Sequence, residues 1–392
     1  MTLGYPTLIP PRRRGLSARV IGRDAVLRRL DWMLFVSALG LSLFGAVLVY
    51  SATRSFSAGQ DPQAYLKKHL LNLAIGLVLG LMTMLFDYRM LRAYAPIVYV
   101  ASLLGLVAVL SPLGSSINGA HAWILLPGGF SIQPSEFVKV SLVVGLAMLL
   151  AERRDAQTEP ALADIGLALA IAAVPLALVM KQPDLGTAVV MGMIVLGILA
   201  VAGTSLKWLV SLLGAGALAA FAAIQLGVLD KYQIDRLLTF TNPGLDPQGI
   251  GYNTNQARIA VGSGGLFGTG LFQGSQTSGE FVPEQQTDFI FTVVGEELGF
   301  IGSAVLLLLF AILLWRALHI ALRAQDLFGA LVATGVVCWF TFQMFENVGM
   351  VIGIMPVTGV PLPFVSYGGS SMFANWMAIG LLENVHLRRA LR

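Results

Sequence analysis

Long apolar segments alternate with short polar segments along almost the whole sequence. A transmembrane helix needs roughly 20 predominantly apolar residues to cross a hydrocarbon layer of about 30 Å. Ten segments exceed that length or fall only a few residues short of it: 32–50, 69–86, 93–111, 135–151, 164–180, 185–202, 206–226, 289–315, 328–354 and 367–385. The pattern therefore predicts an all-α integral membrane protein with about ten transmembrane helices.

The composition excludes an ordinary soluble protein. Hydrophobic residues make up 56% of the chain and charged residues 12%, whereas soluble proteins carry about 25% charged residues. So little polar surface cannot cover a water-soluble globule, and lipid has to serve as the solvent. The single cysteine, Cys338, lies inside an apolar segment, where we expect it to contribute only to packing.

The basic residues are unevenly distributed across the predicted topology. Seventeen of the 25 lysines and arginines fall on the side of the two chain ends, and such an excess marks the cytoplasmic side of a membrane protein. We therefore expect both termini in the cytoplasm. The basic residues on the opposite side are Arg54, Lys67, Lys68, Lys139, Lys181, Lys231, Arg236 and Arg258. The arginines occupy short loops and a tail, so the sequence does not favour nucleic-acid binding.

The predicted spans divide the chain into four parts. Residues 1–30 form a cytoplasmic tail, and residues 31–226 contain the first seven spans together with an outer loop at 112–134. Residues 227–287 form a large extracytoplasmic loop between the seventh and eighth spans, and residues 288–392 contain the last three spans and a cytoplasmic C-terminus. Loops as long as 227–287 are usually functional or disordered. Its glycine-dense turns and amphipathic stretch indicate packing over the bundle.

The outer loop at 112–134 leads directly into a helix that begins with charged residues. Trp123 inside this loop indicates a segment that dips into the membrane interface. Pro134 and Glu136 suit the first turn of a helix, and Lys139 follows Glu136 at a three-residue spacing, on the same helical face. A lysine that enters an apolar span has to be paired or line a wet cavity. A structural ion pair and a functional pair are both open.

Asp288 stands at the junction between the large loop and the eighth span, directly after Thr287. Either residue could cap that helix, because Asp and Thr are favoured N-caps worth about 1 kcal/mol. The alternative is a functional carboxylate. Glu296 and Glu297 follow inside the span and cannot face lipid, so this part of the helix must border protein or water. We therefore expect a polar cavity in the outer half of the bundle.

Other polar residues in the spans also have to point inward. Glu346 and Asn347 interrupt the ninth span, and Asp184 at the start of the sixth span is expected to cap its helix. The four histidines are scattered along the sequence, and no cysteine accompanies them. Neither a zinc site nor a nucleophilic triad is indicated.

Six motifs occur in the order found in the shape, elongation, division and sporulation (SEDS) family, and the chain resembles that family over nearly its whole length after about residue 30. These motifs are PSEFVK at 134–139, QPDLGTA at 182–188, GSGGLFGTGLFQGSQT at 262–277, VPEQQTDFIF at 282–291, GEELGF at 295–300 and PVTGVPLPFVSYGGSS at 356–371. LLTF at 237–240 and the sequence SQT followed by FVPEQ favour the elongation branch of the family. Two departures are Gln286, where the family usually has histidine, and AHAW at 120–123, which lacks a frequent arginine.

The resemblance implies a peptidoglycan glycosyltransferase that polymerises lipid II into β-1,4-linked glycan at the outer face of the bacterial cytoplasmic membrane, and releases undecaprenyl diphosphate. Asp288 is then the expected catalytic base for the acceptor hydroxyl. We expect Lys139, Arg236 and Arg258 to stabilise the leaving diphosphate, with Glu136 holding Lys139 in place. Further residues expected to contact the substrate are Glu297 and Trp123. No protein metal site is expected, although the diphosphate can bring a divalent cation with it.

Two other functions fit a membrane protein of this kind: a lipid II flippase and a non-catalytic scaffold of the elongation complex. A flippase needs a charged path through the membrane midplane, whereas the ionisable residues here cluster near one face. A scaffold gives no reason for carboxylates at a cavity. The partners implied by the resemblance are lipid II, the nascent glycan, membrane lipid and a class B penicillin-binding protein, which is a transpeptidase.

Overall fold

The structure is a computed structural model that describes residues 29–55, 61–86, 88–117, 120–127, 130–152, 160–227, 233–234, 236, 240 and 249–389. The predicted cytoplasmic tail at 1–30 lies outside the described residues, apart from its last two positions. Most of residues 228–248 in the predicted large loop also lie outside them.

The described residues form a bundle of long helices joined by shorter elements. The helices are α1 (Trp32–Thr53), α2 (Ala64–Leu85), α3 (Tyr88–Val109), α4 (Pro134–Glu152), α5 (Leu162–Met180), α6 (Leu185–Val201), α7 (Leu206–Gln225), α8 (Ile250–Ser263), α9 (Ser275–Ser278), α10 (Ile290–Val293), α11 (Gly299–Leu322), α12 (Leu327–Ile352) and α13 (Gly369–Arg389). A π-helical segment, Val294–Leu298, joins α10 to α11.

Eight of the described helices are long and apolar enough to cross a membrane, when α10, the π-helical segment and α11 are taken as one span at Ile290–Leu322. The apolar helix α6 is shorter than these spans, and α13 is the tenth long element in the described part of the chain. These observations confirm the prediction of an all-α, multi-pass membrane protein.

The predicted spans differ most from the structure at the end of the eighth span, predicted at residue 315, where α11 continues to Leu322. The next largest differences are at the beginnings of α2 and α3. We predicted that these helices begin at residues 69 and 93, but they begin at Ala64 and Tyr88. Each helix opens with a polar turn that contains lysine or arginine. Hydropathy finds only the apolar part of a helix, so it missed these first turns.

The beginning of the first long helix, α1, and the end of the last long helix, α13, lie together on one side of the molecule. The Asp31 amide N–H at the start of α1 donates to Glu383 Oε2 near the end of α13, at 3.1 Å. The Arg316 guanidinium near the end of α11 donates to both carboxylate oxygens of Asp31. We call this the terminal side of the bundle and the opposite side the loop side.

The predicted interfacial loop at 112–134 contains a small antiparallel sheet. Its strands are β1 (Ser115–Ile117), β2 (Ala120–Leu126) and β3 (Phe130–Ile132), in the order β1-β2-β3. Along β2, Ala122 is buried and Leu125 is exposed. Pairing within the sheet satisfies backbone groups that lipid cannot hydrogen-bond, which explains how this loop can lie against the membrane interface.

The carboxylates of the π-helical segment anchor the large loop. Glu296 accepts hydrogen bonds from the amides of Gln276 and Thr277 at 2.7 and 2.9 Å. Glu297 accepts from Ser51 Oγ at 2.6 Å and from the Phe272 amide at 3.1 Å. Both glutamates are buried. They therefore border protein, as predicted, but they do not line the polar cavity that the sequence led us to expect around them.

We expect Glu296→Gln to loosen the segment around α9, because one end of the glutamine amide cannot accept from the Gln276 and Thr277 donors. Leaving a buried donor unsatisfied costs about 1–3 kcal/mol, so the amides of Gln276 and Thr277 should exchange hydrogen about tenfold faster. Hydrogen-exchange mass spectrometry would measure this. The matched control is Glu280→Gln, at an exposed position of the same segment. Equal exchange in both variants would contradict the anchoring role.

Candidate active site

A cavity of about 620 Å³ lies on the loop side, among the described residues. Its wall is formed by one face of α2, the β1–β3 sheet, the first turns of α4 and α6, Arg236, the segment 284–288, the segment 358–361 and the beginning of α13. Segments far apart in the sequence meet here. Of the predicted site residues, Asp288, Arg236, Glu136 and Trp123 line the cavity.

Asp288 and Arg236 lie beside the same glycine. A Cβ added at Gly359 would be 3.2 Å from Asp288 Oδ2 and 3.5 Å from both terminal nitrogens of Arg236. Arg236 Nη1 also donates to the Thr358 carbonyl at 2.7 Å. The absence of a side chain at Gly359 therefore leaves room for a carboxylate and a guanidinium on one part of the wall.

Asn347 on α12 holds the two cavity segments together. Its Nδ2 donates to the Asp288 carbonyl at 2.7 Å and to the Val360 carbonyl at 2.8 Å. Asn347 is fully buried, as predicted for a polar residue inside a span. The position of the Asp288 backbone is thus set by a rigid helix.

The surroundings of Asp288 make it a much weaker acid than an ordinary aspartate. The pKa of Asp288 is raised from 3.8 to about 7, chiefly by burial and also by the neighbouring Glu284 carboxylate, while Arg236 acts to lower it. A hydrogen bond with the Thr287 side chain also lowers the pKa. A carboxyl group with a pKa near neutrality can both take up and release a proton at physiological pH.

Asp288 does not cap a helix. The residue that precedes α10 is Phe289, and no side chain accepts a hydrogen bond at the start of this helix. Thr287 Oγ1 instead lies 3.2 Å from both the carbonyl and the Oε2 of Glu284. The capping interpretation of Asp288 and Thr287 is therefore wrong. The capping prediction for Asp184 is confirmed, because its Oδ1 accepts from the Thr187 amide at 3.0 Å.

Glu136 and Lys139 form the predicted ion pair in α4. Lys139 Nζ lies 2.8 Å from Glu136 Oε1 and 3.0 Å from Gln343 Oε1, and it sits 4.8 Å from the centre of the Trp339 ring. Lys139 is fully buried behind Glu136, and Glu136 lines the cavity. Lys139 therefore does not line the cavity itself. It influences the cavity through its ion pair with Glu136.

Two predicted site residues lie away from the cavity. Arg258 on α8 donates from Nη2 to the Gly353 carbonyl at 3.2 Å, at the C-terminal end of α12. Glu297 holds the large loop through Ser51 and Phe272. Both contacts are structural. The spacing of residues in the sequence could not show that the amphipathic stretch packs beside α12.

The cavity also contains residues that the sequence analysis did not single out. On α2, Lys68 and Asn72 line it at a spacing of four residues, and Glu284 lines it from the large loop. The signal for the α2 residues was a polar face at helical spacing just before an apolar span. Over the described residues, no group of three or more His, Cys, Asp or Glu side chains is placed to hold a metal ion.

We expect Gly359→Ala to destabilise the site, because Gly359 has a φ of +75° and its Cβ would crowd Asp288. A left-handed conformation costs a non-glycine residue about 1–2 kcal/mol, so thermal unfolding should occur at a lower temperature. The matched control is Gly262→Ala in α8, where a Cβ would meet nothing within 4 Å and where alanine favours the helix. A lower unfolding temperature in the control alone would contradict this assignment.

Comparison with known proteins matches almost the whole chain to the family that its motifs resemble. The family profile for cell cycle proteins of the FtsW, RodA and SpoVE type matches residues 31–390. The probable peptidoglycan glycosyltransferase FtsW of Trichlorobacter lovleyi is 39% identical, over 92% of this chain and 93% of that protein. Stage V sporulation protein E of Bacillus subtilis is 40% identical, over 91% and 96%. The peptidoglycan glycosyltransferase MrdB of Escherichia coli is 38% identical, over 88% and 92%.

Solved structures share the fold. The rod shape determining protein RodA of Thermus thermophilus superposes with a TM-score of 0.68 at 31% identity, covering 93% of this chain and 98% of that one. A chain from a peptidoglycan synthase complex that coordinates polymerization and crosslinking superposes with a TM-score of 0.76 at 33% identity, covering 93% and 99%. The FtsW, stage V sporulation protein E and MrdB relatives match about equally well, so the elongation branch stays a prediction. The chain belongs to the FtsW/RodA/SpoVE family, which is the SEDS family that its motifs predicted.

Proposed function

We propose that this protein is a peptidoglycan glycosyltransferase that polymerises lipid II, with Asp288 as the catalytic base. The observation that carries the proposal is the placement of Asp288 beside Arg236 on the wall of a cavity of about 620 Å³. Family membership supports the reaction class, because the relatives named above include peptidoglycan glycosyltransferases.

The reaction joins two lipid-linked sugars. The 4-hydroxyl of the acceptor N-acetylglucosamine attacks the anomeric carbon of the donor chain, and the bond from that carbon to the diphosphate oxygen breaks. The hydroxyl proton passes to the Asp288 carboxylate, while the bonding electrons leave with the undecaprenyl diphosphate. The carboxylic acid that results then releases its proton to solvent, which regenerates the base.

A raised pKa suits Asp288 to this role. An ordinary aspartate at neutral pH is a weak base, because its conjugate acid has a pKa of about 3.9. At a pKa of about 7, the carboxylate is a stronger base and is still half ionised at neutral pH. General-base catalysis is most efficient when the pKa of the base lies near the working pH.

Arg236 is the cation best placed to receive charge from the departing diphosphate, because it lies beside Asp288 at Gly359. Lys139 contributes indirectly: it holds Glu136 Oε1, so that Glu136 presents its carboxylate to the cavity. Trp123 on β2 offers an aromatic surface to a sugar ring. Arg258 and Glu297 have structural contacts instead and take no part in the proposed reaction.

We also infer the orientation of the protein in the membrane, its partner and its physiological role. The excess of basic residues on the terminal side supports cytoplasmic termini and a loop side that faces outward, where lipid II is consumed. The match to a chain of a peptidoglycan synthase complex supports a class B penicillin-binding protein as partner. LLTF at 237–240 and SQT followed by FVPEQ support the elongation branch.

We expect Asp288→Asn to reduce polymerisation by about 10²- to 10⁴-fold, because an asparagine cannot accept the hydroxyl proton. The assay incubates the purified protein with labelled lipid II, with and without the partner transpeptidase, and resolves the glycan products on a gel. The control is Glu280→Gln, which removes an exposed carboxylate of the same loop. A folded Asp288→Asn variant with full activity would exclude Asp288 as the base. Translocation of lipid II by the wild type without glycan products would instead indicate a flippase.

We expect the polymerisation rate to rise with pH through about 7, since the base works only when it is deprotonated. Arg236 lowers the Asp288 pKa and Glu284 raises it, so Arg236→Gln should move the rising limb to higher pH and Glu284→Gln should move it to lower pH. The measurement is the initial rate against pH. Shifts in the same direction for both variants would contradict the assignment of this limb to Asp288.

The stability of the protein should depend on pH in the opposite sense. The folded-state pKa of Asp288 is raised, so folding favours its protonated form. The contribution of this residue to stability is therefore fully present below about pH 4 and is lost as the pH rises through about 7. Asp288→Asn should accordingly unfold at a higher temperature than the wild type at pH 8, and the difference should shrink as the pH falls. A variant less stable than the wild type at pH 8 would contradict this expectation.

A further inference from the structure

A buried carboxyl group lies behind the cavity wall, at a position that the reaction described above does not use. Glu346 of α12 is only 1% exposed, and it stands behind residues that line the cavity. We propose that Glu346 is a positioning residue: as a neutral carboxyl group it fixes Thr358, so that the Thr358 carbonyl holds the Arg236 guanidinium beside Asp288. This inference rests on the proposed function, since it concerns the geometry of the same site.

One face of α12 supports the cavity wall from behind. Three buried polar side chains share this face at helical spacing: Gln343, Glu346 and Asn347. The first donates from Nε2 to the Pro361 carbonyl at 2.8 Å, and the last donates from Nδ2 to the Val360 carbonyl at 2.8 Å. Two of the three side chains therefore hold consecutive residues of the wall, and Glu346 lies between them on the same face.

Glu346 meets the wall at Thr358. Its carboxyl group interacts with the Thr358 side chain, and Thr358 lines the cavity. The contact is loose, because neither Glu346 Oε2 nor Thr358 Oγ1 forms a hydrogen bond of ordinary length and angle among the described residues. A buried polar group without a partner is costly. Each of these two groups is therefore the partner that completes the other.

The charges around Glu346 favour its neutral form. Lys139 acts on Glu346, but its Nζ already forms an ion pair with Glu136 Oε1 at 2.8 Å. The Asp184 carboxylate at the start of α6 also acts on Glu346 and repels a negative charge there. A buried charge without a partner is strongly unfavourable, so Glu346 keeps its proton. A neutral carboxyl group can donate this proton to Thr358 Oγ1.

Thr358 connects Glu346 to the cation of the proposed site. The Thr358 carbonyl accepts from Arg236 Nη1 at 2.7 Å. A Cβ added at the neighbouring Gly359 would lie 3.5 Å from both terminal nitrogens of Arg236 and 3.2 Å from Asp288 Oδ2. A displacement of Thr358 therefore moves the guanidinium relative to the Asp288 carboxylate.

The start of α6 packs against the same part of the wall. A Cβ added at Gly186 would overlap Val360 Cγ2 and would lie 3.0 Å from Thr358 Cβ. The Thr358 side chain is thus confined between α6 and α12. Its position depends on the side chain that α12 presents at position 346.

A neutral group behind the wall also suits the charge of the proposed reaction. Arg236 receives negative charge from the departing diphosphate, and a carboxylate close by would weaken that attraction. The hydrogen-bonding shape of Glu346 is therefore needed, whereas its charge is not. This distinction predicts that glutamine can replace Glu346 and that leucine cannot.

The titration of Asp288 is the readout, because Arg236 lowers the Asp288 pKa. Dicyclohexylcarbodiimide reacts with buried carboxyl groups in their protonated form. Its labelling of Asp288, followed by mass spectrometry against pH on the full chain in nanodiscs, reports this titration without turnover. We expect Glu346→Leu to move the loss of labelling to higher pH, in the same direction as Arg236→Gln. Glu346→Gln should leave it unchanged, because the glutamine amide can donate to Thr358 Oγ1.

A double variant separates positioning from a general loss of structure. Since Glu346 acts through Arg236, Glu346→Leu combined with Arg236→Gln should shift the titration no further than Arg236→Gln alone. The matched control is Glu383→Leu on the terminal side. Glu383 is also 1% exposed and has one carboxyl oxygen without a partner among the described residues. We expect this control to leave the titration of Asp288 unchanged.

Three results would overturn the proposal. A wild-type titration of Asp288 in Glu346→Leu would mean that Glu346 does not position Arg236. A shift to lower pH in both Glu346→Leu and Glu346→Gln would mean that Glu346 carries a negative charge. Additive shifts in the double variant would mean that Glu346 acts independently of Arg236.

Thr358→Val tests the same contact from the wall and guards against misfolding of Glu346→Leu. Valine keeps the branched shape of threonine and lacks the hydroxyl, so we expect the same shift to higher pH. A folded Thr358→Val variant with a wild-type titration would exclude this route to Arg236.

Polymerisation of labelled lipid II gives the functional readout. Glu346→Leu should lose up to about 10²-fold in rate, a typical cost of a misplaced group, and Glu346→Gln should stay close to the wild type. Loss of activity in Glu346→Gln equal to that in Glu346→Leu would contradict the neutral role. If Asp288 is not the base, the rate will not follow the titration of Asp288, while the labelling results will stand.

Discussion

Polar groups inside the bundle have to find partners in the protein, because lipid offers none, and this constraint explains most of the architecture. Glu296 and Glu297 are covered by backbone amides of the large loop, and Lys139 is enclosed by Glu136, Gln343 and the Trp339 ring. Each of these contacts joins distant segments of the chain. Satisfying buried charges therefore also assembles the loop side of the bundle.

The cavity is where this constraint is relaxed. Asp288 lies half-buried on its wall, with a carboxylate that the surroundings make unusually basic, and Asn72 has an amide oxygen without a partner among the described residues. Unsatisfied buried polar groups of this kind are rare in folded proteins. The cavity thus combines a carboxylate that can transfer a proton with a cation, Arg236, that lies beside it. The chemistry proposed here needs both of them close together.

Rigid elements position the groups of the cavity. Asn347 of α12 holds the Asp288 backbone, and Asp184 at the start of α6 accepts from Gln133 Nε2 at 3.1 Å. The starts of α4, α6, α10 and α13 all come to this side of the bundle. Their dipoles and first-turn residues give each part of the wall its own electrostatic character. Local charge at each helix start decides whether that part of the wall favours a cation or an anion.

The sequence by itself determined the membrane class, the number of long helices, the family and the Glu136–Lys139 pair. These features depend on the length of apolar segments, on motifs and on helical spacing, which are local properties of the chain. The pattern also indicated that Asn347 and the two glutamates at 296 and 297 must face protein or water. It could not distinguish a capping role from a catalytic one at Asp288, because both predict the same residue at a helix start.

Only the tertiary structure decided which polar residues share the cavity. It placed Arg236 beside Asp288, moved Arg258 and Glu297 away from the site, and brought Lys68 and Asn72 of α2 to the start of α13. These groupings depend on contacts between segments that are far apart in the sequence, from about fifty to about three hundred residues. A single sequence carries no spacing rule for such contacts, because they are set by how whole helices pack. The raised basicity of Asp288 likewise depends on burial and on neighbouring charges, which exist only after the chain has folded.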